Sequence, residues 1–147
     1  MAIGAFYEGL RPGDLLPALT RTARPGQELP RVFGVKGLSA DSEAARAVAQ
    51  KLGVDPIHTT AVLGGVTMLQ FVSEMVTNWL PDPVGWVRGG KLKARFTSPV
   101  HPGEAVVCRG RVREVVRGTY GHHIICDVWI ENTEGKRVVV GEAHVRF

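Results

Sequence analysis

The 147-residue chain holds only two cysteines, Cys108 and Cys126, and no Cys-x-x-Cys or Cys/His cluster at zinc spacing. That shortage argues against a zinc module and a disulfide-stapled scaffold, so no metal is expected. Positive charge is also thin. The formal net charge is +4, and the basic residues are scattered instead of forming a run. A nucleic-acid binder concentrates them in a patch interleaved with aromatics, so no nucleic-acid partner is expected. Long apolar runs are missing too: the greasiest region, residues 61–80, is broken by Gln70, Ser73, Glu74, Thr77 and Asn78. It reads as a buried helix and not as a membrane span. The opening Met1-Ala-Ile-Gly-Ala-Phe6 lacks the basic start and sustained apolar core of a secretory signal. A cytoplasmic protein with two buried, reduced thiols is the expectation.

What remains is ordinary globular material, 44% hydrophobic and 22% charged. Residues 1–147 are expected to form a single domain, long enough for a core without staples. The mild positive excess suits an anionic ligand. No internal repeat is visible.

Along the chain, Phe6 to Asp14 is a turn-rich lead into a strand expected from Leu15 to about Thr22, broken by Pro25-Gly26. Residues 27–36 read as a short helix stopped by Gly37. A second helix is expected over the alanine-rich stretch from Ser39 to Leu52, with Ser39 or Asp41 as N-cap and Gly53 as stop. Val54 to Thr60 reads as a connector, with a turn at Asp55-Pro56. From Ala61 to Leu80, Val62, Val66, Leu69, Val72, Val76 and Trp79 recur at three- and four-residue steps, and Leu63, Met68, Phe71 and Met75 widen the apolar surface. A helix so apolar has to be wrapped, leaving Gln70 and Glu74 on its least apolar stripe to face a pocket or a partner.

After Val84 the period changes from helix to strand. Leu92, Ala94 and Phe96 alternate with Lys91, Lys93 and Arg95; Val106 to Val112, Ile124 to Ile130 and Val139 to Phe147 alternate in the same way. Turns fall at Pro99–Gly103, Gly118–Gly121 and Asn132–Gly135. The fold class is therefore α+β: a curved antiparallel sheet of five strands, with one face covered, wrapped around a long central helix. Its free edges and uncovered apolar surface point to dimerisation through the sheet.

Two stretches carry a family likeness. One is Arg95-Phe-Thr-Ser-Pro-Val-His-Pro-Gly-Glu104; the other is the tail from Asn132 to Val145, with its spaced Asn, Gly, Val, Gly, Ala and Val. With the central helix from Val66 to Trp79 and Asp82-Pro83, they resemble MaoC-like hot-dog proteins. These include (R)-specific enoyl-CoA hydratases and the mycobacterial hydroxyacyl-thioester dehydratase subunits. The resemblance spans roughly Leu10 to Phe147. It implies the hot-dog fold, an acyl-CoA or acyl-carrier-protein thioester as ligand, and no cofactor. It also implies a homodimer or a heterodimer with a second hot-dog subunit.

The family motif resembles Ser-Gly-Asp-x-Asn-Pro-[Ile/Leu]-His. Its Asp and His hold a water between them and exchange protons with it, so that water adds to an enoyl thioester or leaves a 3-hydroxyacyl one. A backbone N–H near the start of the central helix polarises the thioester oxygen. Here the length-matched segment is Ser39-Ala-Asp-Ser-Glu-Ala-Ala-Arg46. Asp41 keeps its place, while Arg46 stands where the His belongs. A guanidinium stays protonated, so Arg46 is unsuited to proton transfer; it either holds a carboxylate or phosphate or simply pairs with Glu43 or Asp41 along the helix. A second echo, Val54-Asp-Pro-Ile-His58, supplies a His but puts Gly53 at the Asp position. Only folding could join Asp41 to His58 as a catalytic pair; the other reading of His58 is a plain surface or core-edge histidine. Gly64 and Gly65 are candidate thioester contacts, and equally candidates for close helix–sheet packing. Three functions stay open: an (R)-type hydratase or dehydratase with an altered motif, a non-catalytic subunit of a heteromeric dehydratase, and a thioesterase using Asp41 or Glu74. Tyr120 and Trp86 read either as acyl-tunnel lining or as sheet packing.

Overall fold

The computed structural model describes residues 3–22, 47, 50, 51, 56–98, 100 and 103–147, and in the long helix it describes side chains from Thr67 onward. Helix α1 (Ile3–Gly9) opens the chain where sequence suggested only turns. Its Tyr7, and Leu10 just after it, are buried. Phe6 meets Trp79 edge-on, with ring centroids 5.5 Å apart. The chain then turns at Gly13, whose φ of 97° only glycine adopts freely.

Three backbone hydrogen bonds lace the next residues to strand β3 (Ala105–Gly118): Gly13 N–H to Val112 O, Val112 N–H to Asp14 O and Leu16 N–H to Gly110 O, at 2.7–2.9 Å. The regular strand β1 is only Leu19–Thr22, shorter than the expected 15–22. Leu15 forms an isolated bridge with Arg111. Pro17 lies in the gap, and a residue without an N–H cannot continue the ladder.

Helix α2 runs from Pro56 to Trp79, 24 residues, a rod of about 36 Å. It swallows most of the expected connector 54–60. Proline at the first helical position has its φ already set and its missing N–H costs nothing there, so Pro56 starts the helix instead of breaking the chain. Thr67, Met68, Phe71, Val72, Met75 and Val76 are buried, while Gln70, Thr77 and Asn78 stay exposed. The polar stripe expected at Gln70 and Glu74 is therefore the open side of the rod. Of the helix expected over 39–52, residues 47, 50 and 51 are described and are helical. The short helix expected over 27–36 lies outside the described residues.

A short helix, α3 (Val84–Gly89), precedes the sheet, where a direct switch to strand was expected. Asp82 Oδ1 accepts the Val84 N–H at 3.0 Å. Trp86 is buried beneath α3, and its indole N–H donates to Ser73 Oγ of α2 at 3.1 Å. Glycines let α3 seat against β5 (Arg137–Arg146): a Cβ on Gly85 would fall 1.9 Å from Arg146 O.

The sheet is fully antiparallel, in the order β1-β3-β4-β5-β2, with β2 at Lys91–Phe96 and β4 at Gly121–Glu131. Val106, Cys108, Val112, Ile124, Cys126, Val128, Ile130, Ala143 and Val145 point into the core, as alternation predicted. Each large side chain fully buried here contributes about 1.5–3 kcal/mol. Three residues break the pattern. Phe96 is half exposed, and Val138 and Val139 are both buried because the β4–β5 register shifts between Ile130 and Glu131. Met75 meets the sheet where β3 has no side chain: a Cβ on Gly110 would lie 3.3 Å from Met75 Cε and 3.0 Å from Leu16 Cδ2.

The opposite face of the sheet is charged. Asp127 and Glu142 are direct cross-strand partners, an arrangement that repels. Arg113 on β3 spans both, at 2.9 Å and 2.7 Å, and holds the Glu142 carboxyl below its usual range. Nearby, Trp129 donates to Glu131 Oε1 at 2.9 Å, Arg109 pairs with Glu131, and Arg137 lies over the Trp129 ring.

Candidate functional site

Of the residues singled out in the sequence, His58, Gly64 and Gly65 lie in the first three turns of α2, and the structure describes that end by its backbone. His58 is the third residue of the helix, inside its first turn. The amides of a helix's first turn have no acceptor within the helix, and the dipole there favours negative charge. Gly64 and Gly65 lie in the third turn, where α-helical bonding engages their own N–H groups. The free amides at this end therefore belong to residues around His58 and not to the two glycines. Gly65 stands two turns from His58 and so shares its helix face. Asp41 and Arg46 lie outside the described residues.

Further along α2, the carboxylate that sequence left open is already taken. Arg21 of β1 forks Glu74, its Nε–H donating to Oε2 at 3.2 Å and its terminal nitrogen to Oε1. This pairing raises the Arg21 guanidinium above its ordinary value. A carboxylate held through both oxygens by a bidentate arginine is a hindered nucleophile. Beside this pair lies Cys108, whose thiol is pushed up to about 12 by burial and by Glu74. Cys126 is likewise pushed up to about 12, by burial and by Asp127. Both thiols are neutral packing groups at any working pH.

At the other end of α2 the chain forms a cleft of about 560 Å³. It is lined from α1, the α2–α3 link, the β3–β4 hairpin and the end of β5. Tyr7 stacks on Phe147 with ring centroids 4.1 Å apart and planes within 5°, and His122 stacks on Phe147 at 5.1 Å. Burial, and then the Asp82 carboxylate, raise the Tyr7 phenol. Sequence gave no hint of this cleft, because Tyr7, Asp82, His122 and Arg146 share no spacing; only the packing of α1 and α3 on the sheet unites them. Trp86 is a packing residue, while Tyr120 is fully exposed at the hairpin tip.

Among the described residues no group of three or more His, Cys, Asp or Glu is placed to hold a metal ion. No helix among them is long and apolar enough to cross a membrane.

No protein-family model and no curated protein sequence matches the chain. Solved structures do. The (R)-hydratase from A. caviae involved in PHA biosynthesis superposes with a TM-score of 0.64 at 19% identity, covering 95% of this chain and 98% of that one. The ChsH1-ChsH2 complex from Mycobacterium tuberculosis gives 0.62 at 19% identity, over 93% and 98%. A MaoC-like dehydratase from Rhodospirillum rubrum gives 0.61 at 16% identity, over 95% and 93%. The long helix, the strand order and these likenesses together establish that the chain has a hot-dog fold of the kind found in MaoC-like dehydratases and (R)-hydratases.

Proposed function

We propose that this protein handles acyl thioesters as an (R)-type enoyl-thioester hydratase or 3-hydroxyacyl-thioester dehydratase, with His58 and Asp41 as its proton-transfer pair. The observation carrying this reading is the start of α2 at Pro56, which places His58 in the first helical turn. His58 and a set of amides with no acceptor inside the helix then share one end of the rod. In the hydration direction, one of the pair removes a proton from water as its oxygen bonds to C3 of the enoyl thioester. The electron pair moves through C2 to the thioester oxygen, where helix-end amides receive the charge. The other partner then delivers a proton to C2. Arg46 holds a phosphate or carboxylate of the ligand. Gly64 and Gly65 serve by lacking side chains, so the thioester can approach the helix. The protein works in the cytoplasm, on a coenzyme A or carrier-protein thioester.

A specific residue favours a second reading. Arg46 replaces the histidine of the family motif, and one of the structural neighbours is itself a complex of two named components. On that reading the chain binds the acyl group or supports a catalytic hot-dog partner in a heterodimer. Hydrolysis through Glu74 is disfavoured by the Arg21 fork.

Incubation of the purified chain with crotonyl-CoA separates these readings. The proposal expects hydration by the chain alone, reduced at least about a hundredfold by Asp41→Asn and by His58→Ala. Activity indifferent to both substitutions removes the pair. Activity appearing only when a second hot-dog protein is added establishes the subunit reading, and thiol release without hydration establishes a thioesterase.

A further inference from the structure

The sheet ends on β2, and among the described residues β2 is bonded only to β5. An edge strand of an antiparallel sheet turns the N–H and C=O groups of alternate residues outward, ready for another strand. The side chains of β2 decide what that strand can be. Lys93 stands directly opposite Glu142 on the charged outer face, so Lys91 and Arg95, two residues to either side, share that face. All three are exposed, and none has an ion pair among the described residues. Glu142, the acid opposite Lys93, is already bridged by Arg113. On the inner side Leu92 and Ala94 pack against the core, while Phe96 is half exposed.

A second copy of this chain is a poor mate for such an edge. For two sheets to join with both cores on one side, odd-numbered residues of β2 have to stand opposite odd-numbered residues. Centred on Lys93, that sets Lys91 against the copy's Arg95 and Lys93 against the copy's Lys93. Like charges directly opposite destabilise a strand pair. A shift by one residue relieves the charges but turns one core to the outer side. Lysines on an edge also serve to keep other strands away. A purely defensive edge, however, has no use for a large apolar ring left half in water. Three cations beside an uncovered phenylalanine suit a strand with acids on one face and an apolar residue on the other.

We propose that the β2 edge docks an edge strand of a different polypeptide, one carrying Asp or Glu at alternate outward positions, and rejects a second copy of this chain. The joined sheet continues across the contact. The carboxylates meet Lys91, Lys93 and Arg95, and an apolar residue on the inner side covers Phe96. This gives the heterodimer reading above its partner's chemistry, and it rests on that reading for the need of a partner.

The partner's stand-in is this chain with Lys91→Glu, Lys93→Glu and Arg95→Glu, whose β2 then carries acids on its outer face. The readout is hydrogen exchange of the β2 amides by mass spectrometry; peptides covering β2 differ in mass between the two forms and are read separately. In the wild type alone the outward amides should exchange fast. Mixed with the Glu variant at low salt they should slow at least about tenfold, with a mixed dimer in sedimentation. Sodium chloride at about 0.5 M should reverse most of the slowing. A second variant, Arg88→Glu with Arg111→Glu and Lys136→Glu, changes the net charge equally but off the edge, and should leave the exchange unchanged. All six side chains are exposed, so both variants should fold, which matching circular dichroism spectra check. Protection in the wild type alone, no slowing with the β2 variant, or equal slowing with the off-edge variant each overturns the proposal. Crotonyl-CoA turnover does not enter, so failure of this edge and failure of the heterodimer reading stay distinguishable.

Discussion

Arg21 on β1 grips Glu74 of α2 through both carboxylate oxygens, tying the short edge strand to the exposed side of the central helix. Because the carboxylate is committed to this tie, Glu74→Gln should leave crotonyl-CoA turnover within about twofold of wild type. It should instead loosen β1, seen as faster hydrogen exchange of the Thr20 to Thr22 amides. Loss of turnover with unchanged exchange would show that Glu74 takes part in chemistry.

Met75 is fully buried at the middle of the helix–sheet contact. Met75→Ala should cost about 2–5 kcal/mol, the transfer of the side chain plus the cavity it leaves. Urea denaturation measures it, and a cost below about 1 kcal/mol would mean that α2 is not clamped on the sheet.

Two glycines should respond differently to the same added methyl. At Gly110 the methyl meets the tips of Leu16 and Met75, which can shift, so Gly110→Ala should cost about 1 kcal/mol or less. At Gly141 it would lie 2.1 Å from Lys93 O, a backbone atom of the paired strand β2. Gly141→Ala should cost about 3 kcal/mol or more, or detach β2 altogether. Equal urea midpoints for the two variants would contradict this packing.

The outer face predicts an acid response. Arg113 lowers the Glu142 carboxyl, and Trp129, followed by Arg109, lowers that of Glu131, from an ordinary value of 4.5. A carboxyl depressed in the folded state stabilises the fold above its unfolded value and loses that contribution as pH falls through the folded one. The stability gap between wild type and Arg113→Gln should therefore be present near about pH 7 and shrink steadily below about pH 4.5. A gap that persists at about pH 2 would mean Arg113 acts by packing alone.

The two thiols should be silent in the native protein. With both raised to about 12, iodoacetamide at about pH 8 should label neither until denaturant is added, when both react. The raised values also mean that their neutral forms favour the fold below the ordinary thiol value of 9.0, and that this contribution is lost as pH climbs toward about 12. Mass spectrometry after labelling decides it.

The sheet was legible because period-two alternation is a local signal: Val106 to Val112 and Ile124 to Ile130 needed no tertiary knowledge. The helix core at Met68, Val72, Met75 and Val76 was legible for the same reason. What sequence missed depends on contacts between distant segments. After Val84 the sequence pattern switched straight to strand, yet α3 forms because β5 passes across it and Trp86 anchors to Ser73. Pro56 read as a turn because Asp55 precedes it, although a proline opens a helix as readily as it ends one. Whether Asp41 pairs with His58 was never a local question, and Asp41 lies outside the described residues. The 560 Å³ cleft was invisible, since its lining is gathered from four separate elements.

The face-to-face contact of Tyr7 with Phe147 joins positions separated by almost the entire sequence. During synthesis α1 emerges well before β5 and the ring that follows it. That helix must therefore wait with its aromatic surface uncovered until β5 has emerged, a delay in which a chaperone or a neighbouring nascent chain competes for it.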